Sequence, residues 1–488
     1  MRRRFASRAA ALLIRVRPAC LSLAVLALGL WGCAPPPRPP SPPKPPLVVL
    51  AEQEPQDLRD IPQDVTALLA QSPATADLDA TFLTPEAQAL FLERFRAAHF
   101  GPWGQTNATY GPANALWGLG KLSSNGHYGE NLRPLGPRFQ AEMEALCQAA
   151  SYPSLVRPAI ATANTSLRVL PTIRPGFLKP TRPGEGFPFD YWQNSGVWAG
   201  TPLIVTHLSA DGAWALVEAR NAGGWVRVAD IAYVDEVFMA HWTALPLLAV
   251  TREHTPVTAP ANGGAAFLFD GRIGMVLPLV DEDDGGYTAL APARGADGLA
   301  EIVGVRIAKA DAVAMPLRAT PRNLGQLADQ MLGQPYGWGG YYENRDCSAL
   351  MLDLLAPFGV FLPRNSSQQA KSGEYVSFEG LGGPEKEALV LSRGAPLLTL
   401  LYKRGHIMLY LGQYQGRAVM LHDIWGLKTL DEGGVEGREV IGRTVVTTLE
   451  PGRELPDVVR AGTLLQSMAG MTLLAPGGNP PATSDRTR

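Results

Sequence analysis

From about Gln53 to Pro158 apolar residues recur at helical spacing, most clearly in Phe91-Leu92-Glu93-Arg94-Phe95-Arg96-Ala97-Ala98-His99-Phe100 and over Arg138 to Ala150, which predicts an α-rich region. Between Ser166 and about Val237 the pattern changes to short apolar runs at turn spacing, Leu203 to Leu208, Ala213 to Glu218 and Gly224 to Val228, with Asp211-Gly212 as a hairpin turn. A second such set follows between Leu247 and Met315, with runs at Ala266 to Phe269, Gly274 to Leu277 and Glu301 to Val305. Two small β-barrels are expected, each too short to bury much core alone and so expected to dock against its neighbours. After Pro321 the pattern returns to mixed α/β, with a helix over Asn323 to Leu332 and strands near Ala395 to Leu401, Ile407 to Leu411 and Val419 to Trp425. The expected fold class is multidomain α+β.

Both ends of the chain read differently. Arg2, Arg3, Arg4, Arg8, Arg15 and Arg17 precede the apolar run Ala19 to Trp31, too short for a permanent bilayer span, so residues 1–32 read as a signal peptide. Leu30-Trp31-Gly32-Cys33 resembles a bacterial lipobox, which makes Cys33 the lipidation site of an exported, membrane-anchored protein. Through residue 52 a proline-dense run starting at Pro35 reads as an extended spacer. Residues 463–488 are expected to be a tail, rich in Gly, Pro, Ser and Thr from Pro476 onward. From Cys33 onward the chain carries 37 Lys and Arg against 45 Asp and Glu, a balance that argues against nucleic acid as a partner.

Two cysteines remain after Cys20 of the leader and Cys33. Cys147 lies in a plain helical pattern and reads as core. Cys347 follows a glycine-rich turn and Asp346, a good N-cap, and Leu350, Met351, Leu354 and Leu355 behind it form one helical stripe. A cysteine at a helix N-terminus is expected to have its pKa lowered, which makes a nucleophile if a base is near. Gly405 to Gly412 and Gly416 to His422 read as a hairpin with the three-residue loop Gln413-Tyr414-Gln415, and that register sets His406 directly opposite His422. Cys347, His406 and His422 then make a nucleophile, a base and a group orienting the base. The other histidines, His99, His127, His207, His241 and His254, read as surface or core, and no CxxC or HExxH spacing points to zinc.

Pro335-Tyr336-Gly337-Trp338-Gly339-Gly340, then Asp346-Cys347-Ser348, Gly405-His406 and His422 resemble the NlpC/p60 family of papain-like cell-wall cysteine peptidases. Phe189-Asp190-Tyr191-Trp192-Gln193-Asn194-Ser195 with Gly224-Trp225-Val226 resembles a bacterial SH3-like domain, the second β segment its partner, and the helical region the cap of multidomain members. The implied domains are a helical cap at 53–160, SH3-like domains at 161–242 and 243–318, and a catalytic domain at 319–462. The implied activity is hydrolysis of the γ-D-glutamyl to diamino acid bond of murein stem peptides by a cofactor-free monomer facing periplasm or cell wall, with preference for a free N-terminal L-Ala. Carried over with it are Cys347 as nucleophile, His406 as base and His422 as its orienter. Asp346 is the residue implied to take the substrate amine, Tyr336 and Ser348 line the site, and Tyr191, Ser366 and Ser367 are further substrate candidates. Ala349 stands where the family often has glycine, and the gap from His406 to His422 is longer than in shorter members. Two other readings stay open: a non-catalytic wall-binding lipoprotein, and a Cys/His amidase or acyltransferase of the same fold.

Overall fold

The computed structural model describes residues 54–124, 126–261 and 264–475. The expected signal segment, Cys33 and the proline spacer lie outside the described residues. Among the described residues no helix is long and apolar enough to cross a membrane.

The N-terminal region is helical, as its periodicity predicts. Thr84 caps the helix Pro85–Phe100 by accepting from Ala87 N, Pro85 occupies the first turn, and Phe91, Phe95 and His99 make its buried stripe. These helices have no separate core: Val65, Leu68, Leu69 and Phe91 pack with Leu324, Leu327, Leu350 and Leu354 further along the chain. Thr66 Oγ1 also donates to Asp329 Oδ2 at 2.6 Å, fixing helix Val65–Gln71 to helix Pro321–Met331.

The first β domain is a seven-stranded sheet: β1 (Arg157–Ala161), β2 (Thr165–Arg168), β3 (Gln193–Val197), β4 (Pro202–Leu208), β5 (Trp214–Ala219), β6 (Gly223–Arg227) and β7 (Ile231–Tyr233), in the order β3-β2-β6-β5-β4-β1-β7. It begins before the expected boundary at 161, because Ala159 pairs with both Leu203 and Tyr233 and so belongs to the sheet. Asp211-Gly212 sits in the β4–β5 connection, with Gly212 at φ 68°. The second domain comprises β8 (Leu247–Val250), β9 (Thr255–Ala261), β10 (Gly264–Gly271), β11 (Val276–Asp283), β12 (Gly286–Arg294), β13 (Ala300–Ile307) and β14 (Ala312–Ala314), as the ribbon β10-β9 and the sheet β13-β12-β11-β8-β14.

The last domain packs helix Cys347–Leu355 against one face of a six-stranded antiparallel sheet, β15 (Gly373–Ser377), β16 (Thr399–Lys403), β17 (His406–Tyr414), β18 (Arg417–Leu430), β19 (Glu436–Thr448) and β20 (Met468–Leu474), ordered β15-β20-β16-β17-β18-β19. Leu350 and Leu354 meet Ile407, Leu409 and Leu421 in that core. Two expectations are corrected. The segment assigned to a tail at 463–488 contains β20, an interior strand that pairs with β15 and β16 on its two sides. The strand expected to end near Trp425 continues to Leu430 and pairs with β19 along its length, from Val419↔Thr448 to Leu430↔Glu436.

Candidate active site

The glycine-rich turn is shaped by close approach. Gly339 and Gly340 sit at φ 63° and 87°, and a Cβ on Gly340 would lie 2.3 Å from the backbone N of Gly196 in β3. Only glycine lets this turn seat against the first β domain. Gln193 Nε2 then donates to Gly339 O at 3.0 Å. Next comes Asp346, whose Oδ1 accepts from Ala349 N at 2.9 Å and so starts the helix that carries Cys347.

Asp346 is 2 % exposed and heavily used. Its oxygens accept from Gly339 N at 3.1 Å, Ser348 Oγ at 3.0 Å, and Arg364 Nη1 and Nη2 at 3.0 and 2.7 Å, besides the cap bond. A carboxylate offers about four lone-pair sites, so these donors fill it and Arg364 neutralises its charge. The expectation that Asp346 takes a substrate amine meets a carboxylate already engaged as scaffold. Ser348 is likewise buried, and its Oγ accepts from Arg364 Nη1 at 2.8 Å.

Cys347 opens the helix as expected, and the backbone N–H of Ile407 donates to its sulfur. Its titration runs opposite to expectation. Burial first, then the Asp346 carboxylate, push the thiol up to about 12, against the smaller lowering influence of the Ile407 N–H. The helix terminus does not win because water is excluded and a carboxylate sits beside the sulfur. Asp423 of β18, fully buried, is itself raised well above the usual carboxylate range by burial and then by Asp346.

His406 is pushed down to about 3 by burial and then by Lys403, and His422 falls well below its ordinary value for lack of water and because of His406. Both rings are neutral, and their hydrogen bonds fix the tautomers. Thr447 Oγ1 gives its only hydrogen to Thr448 O at 2.7 Å, so it must accept from His422 Nε2–H at 2.9 Å. His422 Nδ1 is therefore the acceptor for His406 Nε2–H, 2.9 Å away. That leaves Nδ1 of His406 without a proton, a free base one residue from the Ile407 N–H that holds the sulfur.

The hairpin register differs from expectation. Tyr414 pairs with Arg417, a bulge between Tyr410 and Gly412 absorbs one residue, and Tyr410 faces Met420 where Ala418 was expected. Continuing that ladder sets Met408 across from His422, so the histidines are diagonal neighbours and meet through their side-chain reach.

The cleft beside them has a volume of about 410 Å³. Phe189 from the first β domain, Tyr336, Trp338 and Trp425 line it, with Phe189 ring centroids 5.2 Å from Trp338 and 5.6 Å from Trp425. Tyr191 stands behind, 5.7 Å from Trp338. Tyr336 is thus brought to the cleft wall, and Tyr191 packs against the wall residue Trp338 without lining the cleft. Ser366 and Ser367 instead open the short helix Ser366–Gln369, Ser367 exposed, and neither side chain joins the cluster. Sequence reasoning missed Thr447, Arg364, Asp423, Phe189 and Trp425. Only Arg364, a lone cation in the apolar run Phe361-Leu362-Pro363-Arg364, gave a signal that could have found it. Cys147 is buried and unpaired, as expected, and among the described residues no group of three His, Cys, Asp or Glu has metal-holding geometry.

Comparison with known families matches four models along the chain: the NLPC_P60 stabilising domain, N term, at residues 19–152, an SH3 domain of SH3b1 type at 175–227, an SH3 domain of SH3b2 type at 235–284, and the NlpC/P60 family at 333–426. The chain carries an NlpC/P60 domain behind a stabilising domain and two SH3 domains. Its NlpC/P60 domain is of the cysteine peptidase kind and carries the Cys347, His406 and His422 cluster. A Bacillus subtilis (strain 168) relative, gamma-D-glutamyl-L-lysine dipeptidyl-peptidase, is 27% identical over 151 residues, covering 30% of this chain and 44% of that protein. A Corynebacterium glutamicum (strain R) protein named "Probable endopeptidase" is 36% identical over 73 residues, 15% of this chain and 35% of that one. This chain therefore spans less than half the length of both relatives. The fold of a solved NlpC/P60 endopeptidase from Photobacterium damselae subsp. piscicida superposes with a TM-score of 0.76, covering 85% of this chain and 98% of that one at 24% identity.

Proposed function

We propose that this protein is a murein stem-peptide endopeptidase that hydrolyses the γ-D-glutamyl to diamino acid bond, with Cys347 as nucleophile, His406 as base and His422 as orienter. The observation that carries this reading is the chain of hydrogen bonds from Thr447 through His422 to His406, which leaves His406 Nδ1 without a proton, one residue from the Ile407 N–H that donates to the Cys347 sulfur. In the resting site both partners are neutral. As Sγ attacks the scissile carbonyl carbon, its proton passes to His406 Nδ1, and backbone N–H groups at the start of the Cys347 helix are the candidates to hold the oxyanion. The imidazolium then protonates the leaving amine, the C–N bond breaks, and water, deprotonated by His406, releases the acyl group from sulfur.

The printed name of the Bacillus subtilis relative supports the bond, and the first SH3 domain, seated on the glycine-rich turn, supports a cleft closed at one end. A closed end suits short peptides with a free N-terminal L-Ala. Because Asp346 is saturated, selection for that amine falls to the closing wall, Tyr191 included. The partner is peptidoglycan or its fragments, met outside the cytoplasm by a monomer held through a lipid on Cys33. Mass spectrometry of L-Ala-γ-D-Glu-diaminopimelate incubated with the protein and with its Cys347→Ala variant tests this. Release of L-Ala-D-Glu by the wild type alone is expected. No cleavage by either, with both sedimenting with purified sacculi, would hand the chain to the wall-binding reading.

A further inference from the structure

Lys403, Arg404, Lys428 and Arg438 line the cleft, and among the described residues no Asp or Glu lines it. Glu436 binds two of the four cations, Lys428 at 2.6 Å and Arg438 at 2.7 Å. Lys403 and Arg404 have no carboxylate partner among the described residues. Lys403 is half-buried at the end of β16, and its Cα partner across the β16–β17 ladder is His406 itself. Its ammonium lies near enough to depress the basicity of His406, and Arg438 in turn depresses that of Lys403.

A half-buried ammonium with no carboxylate partner among the described residues, set against the base it weakens, is unfavourable. A cation kept only for solubility would stand in water, as Arg404 does, or take a neighbour's carboxylate, as Lys428 does. The position of Lys403 is chemically meaningful because of what His406 must do. In the mechanism proposed above, His406 delivers its proton to the leaving nitrogen, so the residue bearing that nitrogen lies beside His406, in the cleft that these cations also line.

We infer that Lys403 and Arg404 form a carboxylate-binding subsite for the leaving residue, so that the enzyme selects stem peptides whose diamino acid carries a side-chain carboxylate, as diaminopimelate does, over lysine. The inference rests on the proposed peptidase reading and goes beyond it by naming the diamino acid. A lysine side chain would bring a second ammonium to this cleft. The distal carboxylate of diaminopimelate would supply the missing counter-ion and relieve the charge that weakens His406.

The test compares kcat/KM of the full protein on four peptides: L-Ala-γ-D-Glu-meso-diaminopimelate, its distal carboxamide, its α-carboxamide, and L-Ala-γ-D-Glu-L-Lys. The diaminopimelate peptide and its α-carboxamide should be cut at least about tenfold better than the other two. In Lys403→Met that ratio should shrink to under about twofold, a change that loss of packing alone would not produce. Equal rates on the diaminopimelate and lysine peptides in the wild type would overturn the subsite and leave the peptidase reading standing. Loss of rate with the α-carboxamide alone would also overturn it, because the anion read would then be one that both diamino acids share. Failure to cut any of the four would overturn the peptidase reading, and the subsite with it.

Discussion

The scaffold around the nucleophile and the cleft beside the base treat charge in opposite ways. Around Asp346 charges are paired inside the fold: Asp346 with Arg364, while Arg345 donates to Asp353 at 2.8 Å, to Glu253 at 2.8 Å and to Ile273 O at 2.9 Å. Glu253 and Ile273 come from the second SH3 domain, and Trp198 of the first donates to Asp353 at 3.2 Å. This network ties both SH3 domains to the helix that carries Cys347. In the cleft, Lys403 and Arg404 have no carboxylate partner among the described residues. Charges satisfied within the fold position the nucleophile, whereas charges left open beside the base are available to a substrate.

The largest effect should come from the cysteine sulfur that the scaffold positions. Cys347→Ala is expected to lower turnover at least about 10³-fold, as loss of a nucleophile does, with a melting temperature close to wild type because only one buried sulfur is removed. A collapse of the melting temperature instead would make Cys347 a core residue and undo the assignment. Next is Arg364→Ala, which strands the Asp346 carboxylate in the interior and is expected to cost about 3–5 kcal/mol. Arg404→Ala, at an exposed position, should stay within about 0.5 kcal/mol. Denaturant unfolding of both variants checks the contrast, and similar losses would erase it.

The titration of the site gives a third test. A thiol raised to about 12 keeps its proton at higher pH, and an imidazole lowered to about 3 keeps its lone pair at lower pH. The kcat/KM profile, which reports the free enzyme, should therefore be flat from about pH 5 to 9, without a step near the ordinary histidine value of about 6.5. Thiolate absorbance near 240 nm should likewise be absent across that range. A thiolate signal at neutral pH would mean that the helix terminus outweighs burial and Asp346.

Much of this was legible in sequence because it rests on local pattern. The β strands of both SH3 domains followed from alternation and turn residues, and the Asp346 cap with the Leu350 and Leu354 stripe placed Cys347 at a helix start. What failed depends on the third dimension. The bulge's one mark, Gly412 at φ 121° inside the strand, was read as the end of the hairpin, so the register slipped although the histidine pair survived. Strand β20, closing the sheet from the far end of the chain, looked like the approach to a tail. Cys147 and Cys347 share a thiol raised to about 12 by burial, so ionisation does not separate a core cysteine from a nucleophile; the Ile407 N–H and the bare His406 nitrogen do. Sequence reasoning looked for a lowered pKa because it saw the helix terminus and could not see the depth.

The smallest effect concerns Thr447, which no motif marked. Its hydroxyl fixes the tautomer of His422, and through it which nitrogen of His406 is free, without reaching any reacting atom. Thr447→Val keeps the shape and removes the acceptor, so His422 Nε2–H loses its partner in a fully buried place, a cost of about 1–3 kcal/mol. The alternative tautomer of His422 would then present N–H at Nδ1 toward His406 Nε2–H, and His406 would have to reverse its own proton and lose the free Nδ1. A fall in kcat of about tenfold with KM unchanged is expected. Thr447→Ser, which restores the hydroxyl, should recover most of the rate. If both variants lose stability alike and kcat stays at the wild-type value, Thr447 only packs the strand, and His422 is oriented by His406 alone.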